Sequence, residues 1–94
     1  MIESAEPIEQ RLQKLVDLGM SGIDIMHGEL KILMLEAEQE YQNAKDVEEA
    51  NDYSDSMESM ERKYWEGMLE AYSHMYKMTY DLSFAIAERD SNGA

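Results

Sequence analysis

The chain has 94 residues and a formal net charge of −13, because 21 Asp and Glu face only eight Lys and Arg. A chain of this length forms one domain with a small core, and such domains often gain burial by oligomerising. The charge argues against direct binding of nucleic acid or an anionic membrane, and the lack of cysteine excludes disulfides, thiolate metal sites and a cysteine nucleophile.

The hydropathy pattern predicts a folded, soluble protein. Hydrophobic residues make up 44% of the chain and recur with a regular period, which is not typical of disorder. The first ten residues lack the basic and apolar regions of a signal peptide, and no apolar run approaches the roughly 18 residues of a membrane span. We therefore expect a cytoplasmic protein.

The first predicted helix covers residues 7–18 of the single domain 1–94. Pro7 suits a first helical turn, and Gly19 can adopt the left-handed conformation that ends a helix. One face carries Ile8, Leu12, Leu15 and Val16. Ser21 followed by Asp24 resembles a capping box, so a second helix should begin near residue 22.

The second predicted helix covers residues 22–50. Apolar residues at spacings of three and four indicate a coiled-coil-like seam of Ile23, Met26, Leu30, Leu33, Ala37, Ala44 and Val47. A further apolar row contains Ile25, Ile32, Met34 and Leu35, which predicts contact with more than one neighbouring helix. Turn-forming residues at 51–56 end this helix.

The third predicted helix covers residues 56–89, with Asp55 or Ser56 as the N-cap and residues 90–94 as a frayed tail. Its apolar seam is Tyr64, Met68, Ala71, Met75, Met78, Leu82 and Ala85. A second row beside the seam is Trp65, Tyr72, Thr79 and Ile86. The fold class is all-α: a short N-terminal helix and a long antiparallel helical hairpin that oligomerises as a helical bundle.

The most unusual feature is an acidic run at residues 36–61, which holds ten carboxylates against one base, Lys45. Because the predicted hairpin turns inside this run, the charge should concentrate at one end of the molecule. The predicted partner-binding residues are Glu36, Glu40, Asp46, Glu48, Glu49, Asp52, Asp55 and, as the lone aromatic anchor among them, Tyr53. A solvated end that only keeps the protein soluble is the alternative, and charge runs are more often of that kind.

Aromatic residues of the third helix predict an oligomer interface, since Tyr and Trp are enriched at interface centres. The predicted residues are Trp65, Tyr72, Tyr76, Tyr80 and Phe84. The last four of these recur every four residues, so their row winds around the helix and cannot lie wholly in one buried face. The alternative for each residue is plain core packing, which we favour for Tyr72.

We expect no metal, no cofactor and no enzymatic activity. Asp24 with His27, and Glu70 with His74, could each share a helix face, but the Glu-x-x-His signature of dinuclear bundle proteins is absent. Neither a Gly-rich phosphate loop nor a nucleophile elbow can be recognised.

The segment YWEGMLEAYSHMYKMTYDLSFAIAER, residues 64–89, resembles segments of small uncharacterised phage-encoded proteins. The resemblance implies a phage accessory protein, a class that includes acidic inhibitors of host defence nucleases such as anti-CRISPR proteins. We therefore expect a non-catalytic inhibitor, acting in the host cytoplasm, that docks on the basic nucleic-acid-binding surface of a defence protein or nuclease complex. The alternative is a structural protein, a homodimer or higher oligomer whose assembly is the function.

Overall fold

The computed structural model describes residues 9–93, and the regular structure in this range is entirely α-helical. The helices are α1 (Gln10–Asp17), α2 (Gly22–Ala50) and α3 (Ser56–Gly93). Helices α2 and α3 pack against each other as a hairpin, and α1 contacts α2. The predicted all-α fold and helical hairpin are thus confirmed. Within the described range, none of the helices has the length and apolar content needed to cross a membrane.

The turns between helices use the predicted caps. The Ser21 hydroxyl accepts a hydrogen bond from the backbone N–H of Asp24 at 3.3 Å, and the Asp55 carboxylate accepts one from Met57 N–H at 2.9 Å. Gly19 has a φ of +86°. Its N–H bonds the carbonyl of Val16, which satisfies an otherwise unpaired carbonyl at the end of α1.

The bounds of α2 match the prediction, whereas those of the other helices differ. The predicted start at Pro7 lies outside the described residues, as does Ala94, and within the described range α1 is helical from Gln10. Helix α3 continues to Gly93, so the predicted frayed tail is wrong for residues 90–93. Ser91 and Asn92 are only modest helix formers, but no proline interrupts the helix there, and the cost of each is a fraction of a kcal/mol.

Four of the seven predicted seam residues of α2, Ile23, Leu30, Ala37 and Ala44, lie in the observed seam, and three do not. The residues that face α3 are Ile23, His27, Leu30, Met34, Ala37, Tyr41, Ala44 and Glu48, which are buried or half-buried. The predicted members Met26, Leu33 and Val47 are exposed. The apolar pattern favoured these residues, but the true seam contains polar groups that bond across it to α3, as His27 and Glu48 do.

The seam of α3 also differs from the prediction. We call the residues that face α2 the inner face: Arg62, Trp65, Leu69, Tyr72, Tyr76, Thr79, Ser83 and Ile86. It includes the predicted second row and excludes the predicted main seam. We call that excluded set the outer row: Tyr64, Met68, Ala71, Met75, Met78, Leu82 and Ala85. Five of its seven residues are exposed, and Met68 and Met75 are half-buried.

The core between α2 and α3 is thin. Its buried apolar residues are Leu30, Ala37 and Ala44, with Ala37 fully inaccessible, and no large side chain of the described residues is completely buried. Small residues in a seam allow two helix backbones to approach closely, but they bury little apolar surface. The hairpin therefore depends on polar contacts across the seam as well as on apolar packing.

Candidate functional site

The acidic run forms the hairpin tip, defined here as residues 36–61, and its turn holds two residues in unusual backbone conformations. Asp52 and Tyr53 have φ values of 56° and 59°. The N–H of Asp52 bonds the carbonyl of Glu49 at 3.1 Å, and the N–H of Tyr53 bonds that of Glu48 at 2.9 Å. This pair of bonds is a Schellman motif, which usually places glycine where Asp52 stands. The turn thus fixes the backbone at Tyr53, whose side chain is exposed.

One predicted contact residue, Glu48, is not available to a partner in this fold. Its side chain is 2% exposed. Its carboxylate accepts hydrogen bonds from the Ser59 hydroxyl and from Arg62 Nε, the latter at 2.5 Å. The bond from Ser59 and, after it, the one from Arg62 hold the pKa of Glu48 below its usual value, despite the opposing effect of burial. We therefore reassign Glu48 to the structural seam, because its charge is neutralised inside the hairpin.

The other predicted carboxylates are exposed and lack a cationic partner within residues 9–93. They are Glu36, Glu40, Asp46, Glu49, Asp52 and Asp55. Among the ten tip carboxylates, the ion pairs of the described residues involve only Glu48. Lys45, the one base of the tip, lies 5.4 Å from the Tyr41 ring centroid as a cation–π contact. The negative charge of the tip is therefore largely uncompensated.

The carboxylates surround the tip and do not share one face. At 100° per residue, Glu36, Glu40, Asp46 and Glu49 point in different directions around the outer side of α2. Asp52 and Asp55 follow in the turn. A tip of this kind presents negative charge over a broad solid angle, so it suits a concave basic surface better than a flat one.

An apolar groove lies at one side of the tip, and the sequence alone did not reveal it. It has a volume of about 370 Å³ and an apolar floor formed by Ala44, Val47, Met57 and Trp65. Glu40, Glu58 and Glu61 also line it. The Oε1 atom of Glu58 is buried there without a hydrogen-bond partner among the described residues. The sequence feature that could have indicated the groove is the presence of two apolar residues, Val47 and Met57, among the carboxylates. Only the register of α2 against α3 brings these two residues together.

At the opposite end of the hairpin, His27 is part of the seam. Its Nδ1 lies 3.0 Å from Thr79 Oγ1, and its ring stacks on Tyr76 at a centroid separation of 4.3 Å. The Thr79 hydroxyl also lies 3.0 Å from the Tyr76 carbonyl, so it can donate to that carbonyl while it accepts from His27 in the tautomer that carries the proton on Nδ1. The ring is therefore held by packing and one hydrogen bond across the seam.

The acid–histidine pairs considered as metal ligands do not converge. Asp24 accepts a hydrogen bond from the Ser83 hydroxyl at 2.5 Å, and this bond is the first cause that lowers the pKa of Asp24. His74 is exposed on α3. Among residues 9–93, no group of three or more His, Asp or Glu is placed to hold a metal ion.

The predicted interface aromatics divide into two sets. Trp65, Tyr72 and Tyr76 belong to the inner face and are half-buried against α2, whereas Tyr80 and Phe84 are exposed. The first three residues therefore serve the packing of the hairpin itself.

The sequence matches no protein-family model, and comparison with curated proteins and with solved structures gave no match. Function is therefore argued from the geometry of the chain.

Proposed function

We propose that the protein is a non-catalytic acidic interaction protein whose hairpin tip docks on a basic, nucleic-acid-binding surface of another protein. The observation that supports this most is the set of tip carboxylates that have no cationic partner among residues 9–93. Concentrated like charges cost folding free energy through mutual repulsion. A basic partner would turn that repulsion into attraction.

The charge density of the tip supports a nucleic-acid-like role. The helical part of the tip that begins at Glu36 runs about 21 Å along α2, a length over which duplex DNA carries roughly twelve phosphate charges. The tip holds ten carboxylates, nine of them outside the Glu48 ion pair. The two densities agree within a factor of two, so the tip would compete with nucleic acid for the same basic groove.

Tyr53 gives this surface an aromatic contact. It is exposed, and the bonded turn restricts its backbone, so little conformational entropy would be lost when it is buried against a partner. With the resemblance of residues 64–89 to phage-encoded proteins, these features favour an inhibitor of a host defence protein in the cytoplasm.

Charge-neutralised variants with a matched control test this proposal. The tip variant is D46N/E49Q/D52N, and the control D17N/E70Q/E88Q removes the same charge elsewhere. Each chain is immobilised and incubated with nuclease-treated bacterial lysate at low and high salt. We expect the wild type and the control to capture a nucleic-acid-binding protein that added duplex DNA or high salt releases, and the tip variant to lose it. Equal capture by all three chains would refute the role of the tip.

We also propose that the chain self-associates, and a protein whose assembly is itself the function is the second candidate. The observation in its favour is the exposed outer row of α3. If assembly is the function, the tip variant would retain every activity of the wild type, whereas disruption of the outer row would abolish it.

A further inference from the structure

The outer row of α3 is an apolar surface that the hairpin leaves uncovered. Tyr64, Met78 and Leu82 are 57%, 48% and 47% exposed. From residue 62 to residue 88 every charged side chain of α3 lies outside the outer row. The row from Tyr64 to Ala85 is about 32 Å long, so it runs along most of α3. Contiguous exposed apolar surfaces of this kind mark interaction sites.

Helix α2 widens this surface on the same side of the hairpin. Met26 and Leu33 are exposed apolar residues that flank the α2 seam. The apolar floor of the tip groove, with Val47 and Met57, continues the surface toward the turn. The uncovered apolar residues therefore extend along both long helices.

Three residues of the outer row, Met68, Met75 and Leu82, and the charged residues just beyond its ends are symmetric about Met75. Met68 and Leu82 each stand seven residues from Met75. If the spacing of the row is continued beyond each end, the next positions are Glu61 and Arg89, which are both charged. Each of these residues is 14 positions from Met75. A two-fold axis through Met75 would place Glu61 of each copy beside Arg89 of the other, and a two-fold interface requires such self-complementarity.

Charge selects the antiparallel orientation over the parallel one. A parallel pair would bring two hairpin tips together, each with nine net negative charges in the sequence, and would place Glu61 against Glu61. An antiparallel pair puts the tips at opposite ends of the assembly. Arg89 contacts Asp90 in the isolated chain, but both side chains are exposed, so this contact competes only weakly with Glu61.

We propose that a second copy of this chain covers the outer row in an antiparallel dimer centred on Met75, with the two acidic tips at opposite ends. This assignment rests on the self-association proposed above and adds its surface, orientation and centre. It replaces the interface predicted from the aromatic residues, because Tyr80 and Phe84 lie outside the outer row. A consequence for function follows: the dimer presents two independent tips to its partners.

Single-cysteine cross-linking tests the assignment, because the chain has no native cysteine. The variants are M75C, M68C and L82C, with F84C as the control for an exposed apolar position outside the row. A bismaleimide that spans about 8–10 Å matches the axial distance between packed helices. Far-ultraviolet circular dichroism checks that each variant is folded.

We expect M75C to form a covalent dimer alone, M68C and L82C to form one only when mixed, and F84C to form none. Self-linking of M68C as strong as that of M75C would show a parallel pair and overturn the orientation. Linking of F84C in place of M75C would leave self-association standing but overturn the surface. Absence of links at every position, together with a monomeric mass for the wild type, would overturn both proposals.

Discussion

The two apolar strips of α3 differ in their polar content. The inner face, which packs on α2, contains Arg62, Thr79 and Ser83, and each of these makes a hydrogen bond within the seam or across it. The outer row lies about 100° around the helix from the inner face and has no charged residue. In a lone hairpin apolar residues normally line only the buried face of a helix, so a second, exposed apolar strip is unusual.

This difference indicates how each strip contributes to the folded structure. Polar pairs such as Glu48 with Arg62 fix which residues of α2 and α3 meet, because an unpaired buried polar group is costly. They add less burial than an apolar seam would. The outer row is an exposed apolar strip, so we expect its coverage by a second copy to add to the stability of the protein.

The largest expected effect comes from the seam between α2 and α3. Glu48→Ala would leave Arg62 and Ser59 without their acceptor inside the seam, so we expect the thermal midpoint to fall by several degrees. Glu49→Ala, at the adjacent exposed carboxylate, is the matched control and should leave the midpoint nearly unchanged. Thermal unfolding followed by circular dichroism measures both. Equal midpoints for the two variants would contradict a structural role for Glu48.

The contact between Glu48 and Arg62 also predicts that the stability of the protein depends on pH. Ser59 and Arg62 lower the pKa of Glu48 in the folded state, so its stabilisation is complete above the unfolded value of about 4.3. It is lost as pH falls through the lower folded value. The midpoint gap between the wild type and Glu48→Gln should thus be constant near neutral pH and close below about pH 4. A gap that widened on acidification would contradict this assignment.

The second effect concerns the close approach of the helices. Ala37→Leu adds volume where the wild-type side chain is completely inaccessible, so we expect a loss of about 1–3 kcal/mol in the free energy of unfolding. Gln39→Leu, at an exposed position of the same helix, should change it little. Urea denaturation measures the difference. A neutral Ala37→Leu would mean that the helices are farther apart than the structure has them.

The two seam residues Glu48 and Ala37 show what the sequence could predict. The existence of the helices, the bounds of α2 and the caps at Ser21 and Asp55 follow from local chemistry, and the structure confirms them. The register of the seam does not follow from local chemistry, because apolar residues occupy two neighbouring strips of each long helix. Pairing of Glu48 with Arg62 decides between the strips, and that pairing depends on contacts between residues 14 positions apart.

The sequence also predicted the candidate site only in part. The charge run identified the tip, and the cluster of turn formers located its turn at residues 51–56. Burial of Glu48 could not be predicted, since an isolated glutamate in an acidic run gives no sign of a partner on the next helix. The groove at Val47 and Met57 was missed for the same reason.

The third effect concerns the turn between α2 and α3, which belongs to neither strip of α3. Asp52 has a positive φ in the Schellman turn, so Asp52→Gly should relieve the strain and raise the free energy of unfolding by about 0.5–1 kcal/mol. Glu49→Gly, inside α2, should lower it by about 1 kcal/mol. Chemical denaturation of both variants provides the comparison. If Asp52→Gly destabilised the chain, the left-handed conformation at this residue would be wrong.

The smallest expected effect tests whether the outer rows of the two copies run antiparallel. In an antiparallel dimer Glu61→Arg creates two Arg–Arg contacts, so the dimer dissociation constant should rise about three- to tenfold at low salt. The double variant E61R/R89E should restore the wild-type value. In a parallel dimer the single change would exchange a Glu–Glu contact for an Arg–Arg contact, so the dissociation constant should change little. Sedimentation velocity over a range of concentrations separates these results.

The most direct measurement is the solution mass of the wild type, Met78→Glu and Phe84→Glu by sedimentation equilibrium at micromolar concentration. Met78 belongs to the outer row, whereas Phe84 is an exposed apolar residue outside it. The wild type and Phe84→Glu should have twice the chain mass of 10.9 kDa, and Met78→Glu should have the monomer mass, because a buried unpaired charge is strongly unfavourable. A monomeric wild type, or dissociation by Phe84→Glu with Met78→Glu still dimeric, would contradict the account.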